Sequence, residues 1–121
     1  MKNMVIYSLI LLFFACAGNE STTPAKTAQI VAESFYQGNE AALKEHTTPE
    51  GYANFKNLMA MFVKSDTKDS NFKVIEETID GDVAWVKYST SYDKTPGIFK
   101  LVKQDGEWKV TARRPKEEVP F

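Results

Sequence analysis

The sequence predicts an α+β domain in which N-terminal helices pack on an antiparallel sheet of about four strands. In the N-terminal half, apolar residues recur at the spacing of one helix face, whereas the C-terminal half alternates apolar and polar residues between short turns. Asp105-Gly106, between two alternating runs, is typical of a tight hairpin, because glycine readily takes the positive φ that a primed turn requires. The 121 residues, 43% hydrophobic and 26% charged, fit one globular domain.

Charge and cysteine content exclude several function classes. The 15 basic and 16 acidic residues give a net charge of -1, so no nucleic-acid partner is expected. Cys16 is the only cysteine, which excludes an intramolecular disulfide. His46 is the only histidine and lacks a set of metal-ligating neighbours in the sequence, so we interpret it as structural. No metal, cofactor or catalytic residue is predicted.

Residues 1–15 predict a signal peptide. Lys2 precedes an apolar run of about twelve residues, which is shorter than the ~20 residues of a membrane span. The run ends in Phe13-Phe14-Ala15-Cys16, which resembles a bacterial lipobox, although phenylalanines occupy positions where leucine and a small residue are usual. The resemblance implies that fatty acyl chains such as palmitate are attached to Cys16 and that cleavage makes it the N-terminus. An ordinary cleaved signal with an incidental cysteine, or a short uncleaved anchor, are the alternatives.

Residues 16–23 then predict a polar tether, and residues 24–121 a single domain. The expected location is the bacterial cell envelope, where an exported lipoprotein is held on a membrane through its lipid anchor.

Three helices are expected in the N-terminal half. Thr23-Pro24 is a helix start signal, and Gly38 a stop signal. A short second helix, Glu40 to Glu45, and a third from about Pro49 to Val63 should follow. The buried face of the first contains Ala28, Val31, Ala32 and Phe35, and that of the third Tyr52, Phe55, Leu58, Met59 and Phe62.

Four strands are expected in the C-terminal half: Phe72 to Ile79, Val83 to Tyr92, and the two strands of the Gly97–Arg113 hairpin. Alternation assigns one set of side chains to the core beneath the helices. This set contains Ala84, Val86, Tyr88, Phe99, Leu101, Trp108, Val110 and Ala112.

The opposite sheet face mixes lysines with the apolar residues Val83, Trp85, Ile98 and Val102. One interpretation is a solvent face in which lysine stems cover apolar neighbours, and the other is an interaction surface for a homodimer or an envelope protein. From Lys87 to Lys116 there are eight basic and three acidic residues. This excess suits either a solvated face or contact with anionic lipid headgroups or an anionic ligand.

Several stretches together resemble a known family: VAESFYQGNEAALKEHTTPE, IDGDVAWVKYS and FKLVKQDGEWKV. They are similar to small bacterial lipoproteins of unknown function with a nuclear-transport-factor-like, cone-shaped α+β domain. The resemblance implies a curved sheet that wraps the helices and leaves a hollow at its wide end. It implies no particular activity, because this fold is used by enzymes, binding proteins and scaffolds.

The leading hypothesis is a non-catalytic, membrane-anchored lipoprotein that acts as a ligand-binding or protein-interaction module. A small apolar ligand would contact a hollow lined by Tyr52, Phe55, Phe62, Tyr88 and Trp108. One alternative is a small enzyme of the isomerase or dehydratase type that uses a residue in the cone, such as a buried tyrosine or His46. Another is a structural subunit of an envelope complex, in contact through Val83, Trp85, Ile98 and Val102.

Overall fold

The computed structural model describes residues 23–62 and 68–121, which form three helices and a four-stranded antiparallel sheet. The predicted signal peptide, Cys16 and most of the predicted tether lie outside these residues. The helices are α1 (Pro24–Gln37), α2 (Glu40–Glu45) and α3 (Pro49–Phe62). The strands are β1 (Lys73–Asp80), β2 (Val83–Ser89), β3 (Gly97–Gln104) and β4 (Glu107–Thr111), adjacent in the order β1-β2-β3-β4. The α+β class is therefore confirmed.

The helix boundaries follow local capping chemistry. The Thr23 side chain accepts a hydrogen bond from the Lys26 amide at 3.1 Å, which caps α1. Gly38 ends this helix with a φ of 76°, a left-handed conformation that glycine adopts at little cost. The side chain of Asn39 then caps α2 by accepting from the Ala42 amide at 3.2 Å. These contacts produce the predicted helical corner.

The connection between α2 and α3 lies directly along β4. The Val110 amide donates to the His46 carbonyl at 3.0 Å, and the Thr48 amide donates to the Val110 carbonyl at 2.9 Å. Thr47 thereby forms a parallel bridge with Val110. A Cβ on Gly51 would lie 2.7 Å from the Val110 carbonyl oxygen, so the first turn of α3 requires a glycine at this approach. The outer edge of β4 is consequently covered.

The core lies between the helices and one face of the sheet. Cross-strand pairs Ala84–Leu101, Val86–Phe99 and Leu101–Val110 set the register, and all five side chains are buried. The predicted inner face of β2, β3 and β4 is confirmed by this register except at Ala112, which lies beyond the end of β4 and is half-buried. The buried core consists of Ala28, Val31, Ala32, Leu43, Ala84, Val86, Phe99, Leu101, Trp108 and Val110.

β2 is shorter than its sequence pattern predicts, ending at Ser89 rather than Tyr92. The Ser91 amide donates to the Ser70 carbonyl at 2.7 Å, and the Tyr92 ring stacks on Tyr36 with centroids 4.7 Å apart. These contacts join the segment after β2 to α1 and to the segment before β1, so the chain leaves the sheet early.

Leu58 was predicted on the buried face of α3, and this is wrong. Tyr52, Phe55 and Met59 pack against the core, whereas Leu58 is 36% exposed. At 3.6 residues per turn, Leu58 is rotated away from the line through these three side chains. The angular position of Leu58 around the helix axis therefore indicates its exposure better than its apolar side chain does.

Candidate binding site

Seven aromatic rings form a continuous series of contacts from the sheet into the helices, with neighbouring centroids 4.7 to 5.8 Å apart. We call this series the aromatic chain. Each such contact adds roughly 0.5–1.5 kcal/mol beyond area burial, so the chain rigidifies this part of the domain. Its members, in spatial order, are Phe72, Tyr88, Phe99, Phe55, Phe35, Tyr36 and Tyr92.

Tyr88 occupies the sheet end of the aromatic chain, on the inner face of β2. Its ring stacks on Phe72 at 5.3 Å with an interplanar angle of 19° and contacts Phe99 at 4.7 Å. Directly opposite on β3 is Gly97, which lacks the Cβ that would collide with the phenol ring. The register and the glycine together determine where the Tyr88 hydroxyl lies.

The Tyr88 hydroxyl is kept neutral. Burial raises the pKa of Tyr88 well above its usual range, and the neighbouring Tyr36 and Asp93 charges add to the rise. Within residues 23–62 and 68–121, no hydrogen-bond partner contacts this hydroxyl. A neutral phenol can donate one hydrogen bond and accept others, so Tyr88 is a donor available to an incoming oxygen.

The negative charge of Asp93 acts on two phenols of the aromatic chain. Burial and the Asp93 charge raise the pKa of Tyr36 as well, which indicates that this carboxylate acts on both rings. The Asp93 carboxylate accepts a hydrogen bond from the Thr95 amide at 3.0 Å, so its position is fixed. Tyr92 donates to the Lys68 carbonyl at 2.9 Å and accepts from Gln37, which orients the last ring of the chain.

A second polar cluster joins α1 to the segment before β1. Ser70 donates to the Glu33 carboxylate at 2.5 Å, and Gln29 donates to the same oxygen at 3.1 Å. The Ser70 hydroxyl also accepts from the Phe72 amide at 3.2 Å. Because every one of these groups is already paired, the cluster is suited to holding Phe72 in place rather than to contacting a ligand.

Two of the predicted pocket residues come together. Tyr88 and Phe55 both contact Phe99, with centroids at 4.7 and 5.6 Å, and so belong to one cluster of rings. The Phe62 side chain lies outside the described part of the structure. Phe35, Tyr36, Phe72 and Asp93 were not predicted as site residues, although the adjacent pair Phe35-Tyr36 at the end of a helical apolar face was a usable signal.

The other two predicted pocket residues, Tyr52 and Trp108, pack in the same core cluster, but within the described residues no ring contact joins them to the aromatic chain. The Tyr52 hydroxyl donates to Glu40 at 3.1 Å, and the Lys44 and Lys56 ammonium groups are each 5.8 Å from its ring centroid. Tyr52 therefore directs its polar end to the helix surface. Trp108 is buried on the inner face of β4, where the Lys103 ammonium lies 5.7 Å from its ring.

The predicted interaction face is partly occupied by the chain itself. Val83, Ile98 and Val102 are half-buried and Trp85 is only 8% exposed, although all four lie on the face opposite the helices. The Lys100 ammonium lies 5.9 Å from the Trp85 ring and donates to the Glu117 carboxylate at 2.5 Å. The segment after β4 therefore returns across this face, and Lys100 is neutralised within the protein.

Metal-ligating groups and membrane-spanning helices are both absent from the described residues. No group of three histidine, cysteine, aspartate or glutamate side chains in residues 23–62 and 68–121 is arranged to hold a metal ion. None of α1, α2 and α3 has the length and apolar character that crossing a membrane requires.

Three helices on one face of a curved four-stranded meander define a nuclear-transport-factor-2-like (NTF2-like) fold, and two solved structures show the same arrangement. An NTF2-like protein of unknown function from Silicibacter pomeroyi DSS-3 superposes with a TM-score of 0.57 at 11% identity, over 70% of this chain and 84% of that one. A "putative NTF2-like transpeptidase" from Campylobacter jejuni superposes with a TM-score of 0.59 at 15% identity, over 76% of this chain and all of that one.

At sequence identities of 11% and 15%, similarity to these two structures shows only that the fold is shared. No protein-family model matches the chain. No curated protein matches its sequence either. The domain therefore has an NTF2-like fold, as the sequence resemblance implied, and its function must be argued from its own residues.

Proposed function

We propose that the protein is a non-catalytic binding module of the bacterial cell envelope, tethered to a membrane through a lipidated Cys16. The hollow around the aromatic chain takes a small apolar ligand. The observation that carries this proposal is the Tyr88 hydroxyl, a neutral donor on a half-buried ring, without a partner in the described residues and surrounded by aromatic rings.

The surroundings of Tyr88 define the ligand class. Binding pockets are typically apolar with a few convergent polar groups that fix orientation. The rings of Phe72, Phe99 and Phe55 offer faces and edges for stacking, and Tyr88 offers one hydrogen bond. A flat apolar molecule with a carbonyl or ether oxygen matches this arrangement.

Tyr88 should also discriminate between ligands. A ligand that covers this donor without accepting its hydrogen bond leaves it unpaired at a cost of about 1–3 kcal/mol, and a ligand oxygen avoids that cost. A hydrocarbon of the same shape leaves the donor unpaired and so gains less.

The sequence supports the tether. The apolar segment before Cys16 has the length of a signal-peptide core, and the polar residues 17–23 separate this cysteine from the start of α1 at Pro24. Two or more acyl chains on Cys16 would hold the domain at a bilayer without a membrane span.

A matched pair of naphthalenes tests the binding proposal. Acetylnaphthalene carries a ketone acceptor and ethylnaphthalene does not, so the wild-type protein should bind the ketone more tightly in a fluorescence titration. Tyr88→Phe should weaken ketone binding about tenfold and should not weaken ethylnaphthalene binding. Tyr52→Phe is the matched control. Equal affinity for the two compounds, or an equal loss in the control variant, would sink the proposal.

Lipidation is tested separately by mass spectrometry of the membrane fraction. The expected species begins at Cys16 and carries acyl chains, whereas Cys16→Ser should leave the protein unacylated and release it from membranes. An unmodified cysteine in a soluble wild-type product would overturn the anchoring part while leaving the ligand-binding part intact.

A second candidate function is proton transfer at a ligand bound in the same hollow. Its support is Asp93, whose charge raises the pKa of both Tyr36 and Tyr88. A carboxylate base beside a phenol acid is a pair of groups that general acid–base catalysis can use. Ketone turnover, followed as exchange of its α-hydrogens for deuterium, that disappears in Asp93→Asn would favour this candidate. His46 is not part of it, because its Nδ1 lies 2.9 Å from the Ala42 carbonyl in the helical corner.

A further inference from the structure

β1 forms an open edge of the sheet. It pairs with β2 on one side, and within the described residues no strand pairs with its other side. Seven of its eight residues are exposed, and only Thr78 is half-buried. An edge strand presents unpaired backbone N–H and C=O groups, so it can accept an added strand.

The two edges of the sheet are treated differently. At β4 the segment from His46 to Thr48 bonds to Val110 on both sides of Thr47, so this edge is covered by the chain itself. At β1 the described chain provides no comparable cover. Instead Val74, Ile75 and Ile79 are 42%, 50% and 56% exposed, which makes β1 the strand with the most exposed large apolar side chains.

The two faces of β1 differ in chemistry. Glu76 and Asp80 lie on the outer face, opposite Lys87 and Val83. Val74 and Ile79 lie on the inner face, opposite Tyr88 and Ala84. Glu77 also lies on the inner face, opposite Val86. A strand added at this edge would therefore meet acidic groups on the outer face, and two apolar side chains together with one carboxylate on the inner face.

Charge argues against a second copy as the partner. β1 carries three acidic residues, Glu76, Glu77 and Asp80, against Lys73 alone, a net charge of -2. Pairing two such strands would place like charges beside one another, which is unfavourable. Natural proteins use charged edges to prevent this kind of self-association.

We propose that the open edge of β1 binds an extended segment of a partner polypeptide in which Lys or Arg alternate with apolar residues. The partner adds a fifth strand, and main-chain hydrogen bonds to β1 provide the part of the affinity that does not depend on the partner's side chains. Its basic side chains pair with Glu76 and Asp80 on the outer face, and its apolar side chains cover Val74 and Ile79 on the inner face. This site adjoins the aromatic chain at Val74, which lies opposite Tyr88, but it does not depend on a ligand there.

A short peptide of alternating lysine and valine tests the proposal with the domain of residues 16–121. Calorimetry should detect binding that weakens as salt rises from about 0.02 to about 0.15 M, because the paired charges are near the surface. Amide chemical shifts should change along β1. A peptide of alternating glutamate and valine should not bind.

Matched variants distinguish the loss of charge on β1 from the loss of the same charge elsewhere in the domain. Glu76→Gln with Asp80→Asn should weaken binding about tenfold, whereas the control Glu45→Gln with Glu118→Gln removes the same charge elsewhere and should leave it unchanged. Ile79→Thr keeps a strand-forming residue and should weaken binding by a smaller factor. Unchanged affinity in the β1 double variant, equal binding of the acidic peptide, or shift changes confined to other elements would overturn the proposal. So would a β1-mediated dimer in sedimentation experiments.

Discussion

The phenol ring of Tyr88 lies across the backbone of Gly97, its cross-strand partner. A Cβ built on Gly97 would fall too close to the Tyr88 Cζ and hydroxyl oxygen for any real contact and would lie 2.9 Å from Cε1. The φ of Gly97 is not in the left-handed region, since only Gly38, Gly81 and Gly106 have positive φ among the described glycines. This glycine is therefore required for space and not for backbone conformation.

The Gly97–Tyr88 contact predicts a non-additive pair of mutations. Gly97→Ala should destabilise the wild-type domain by about 1–3 kcal/mol, because the added methyl overpacks a filled position. In a Tyr88→Ala background the same change should be neutral or slightly stabilising, because the space is then free and alanine has less backbone freedom to lose. A double-mutant cycle measured by urea unfolding tests this. Equal costs in both backgrounds would show that the contact is not the reason for the glycine.

Tyr88 also predicts a loss of stability in alkaline solution. Its pKa is raised in the folded state by burial, with Tyr36 and Asp93 adding to the rise, whereas the unfolded chain has the usual value of 10.0. Below pH 10 the Tyr88 phenol is protonated in both the folded and the unfolded state, so its full contribution to the free energy of unfolding is present. As the pH rises further, only the unfolded state loses it, so the free energy of unfolding should fall by about 1.4 kcal/mol per pH unit.

The variant that isolates this effect is Tyr88→Phe, which has no proton to retain. Its free energy of unfolding should depend less steeply on pH above about 10 than that of the wild-type protein. Tyr52→Phe, which alters a tyrosine whose hydroxyl reaches the helix surface, should leave the slope unchanged. Identical slopes in wild-type protein and Tyr88→Phe would show that this phenol ionises freely in the folded domain.

The hairpin at Asp105-Gly106 shows why much of the fold could be predicted from sequence. Asp105 and Gly106 both have positive φ, at 53° and 80°, as a type I′ turn requires. Thr23, Asn39 and Gly38 likewise act through neighbours a few residues away. Local rules of this kind set the element boundaries, and strict alternation then set the register of the inner face.

The site was less predictable, because its contacts join distant parts of the chain. Tyr36 on α1 stacks on Tyr92 after β2, and Phe55 on α3 meets Phe99 on β3. Nothing in the spacing of these residues indicates which rings will touch. The ion pair between Glu117 and Lys100 likewise joins residues that are distant in the sequence, and their spacing does not indicate it. Trp85 was therefore predicted on an open face, whereas it is buried.

Gly106 predicts a substitution effect that depends on backbone conformation alone. Its φ is 80°, and no atom lies within 4 Å of a Cβ built there, so the position has room for a side chain. Gly106→Val should nevertheless cost about 1–2 kcal/mol, because a β-branched residue is strained at positive φ. Gly106→Asn should cost less, since asparagine tolerates this region. Thermal unfolding of the two variants provides the comparison, and a valine variant as stable as the asparagine one would disprove the turn argument.

The segment that returns over Trp85 should control the exposure of its indole ring. Lys100 lies between the Trp85 ring and Glu117, so removing residues 115–121 should expose the indole. In a Trp108→Phe background, where only Trp85 emits, the truncated protein should show a red-shifted spectrum and faster acrylamide quenching. Glu117→Gln should change both in the same direction but less, and Glu118→Gln, which alters an exposed neighbour, should change neither.

Acid should reproduce the effect of Glu117→Gln on Trp85. The hydrogen bond from Lys100, followed by that from the Arg114 amide, lowers the pKa of Glu117 below its usual 4.5. The Glu117 carboxylate therefore keeps its charge until the pH falls below this value, and until then the segment after β4 keeps its contact with Lys100. At lower pH, protonation of Glu117 should release Lys100 and expose Trp85. The change should be absent in Glu117→Gln, because that side chain does not titrate. A spectrum unaffected by truncation at neutral pH would instead mean that β2 and β3 alone bury Trp85.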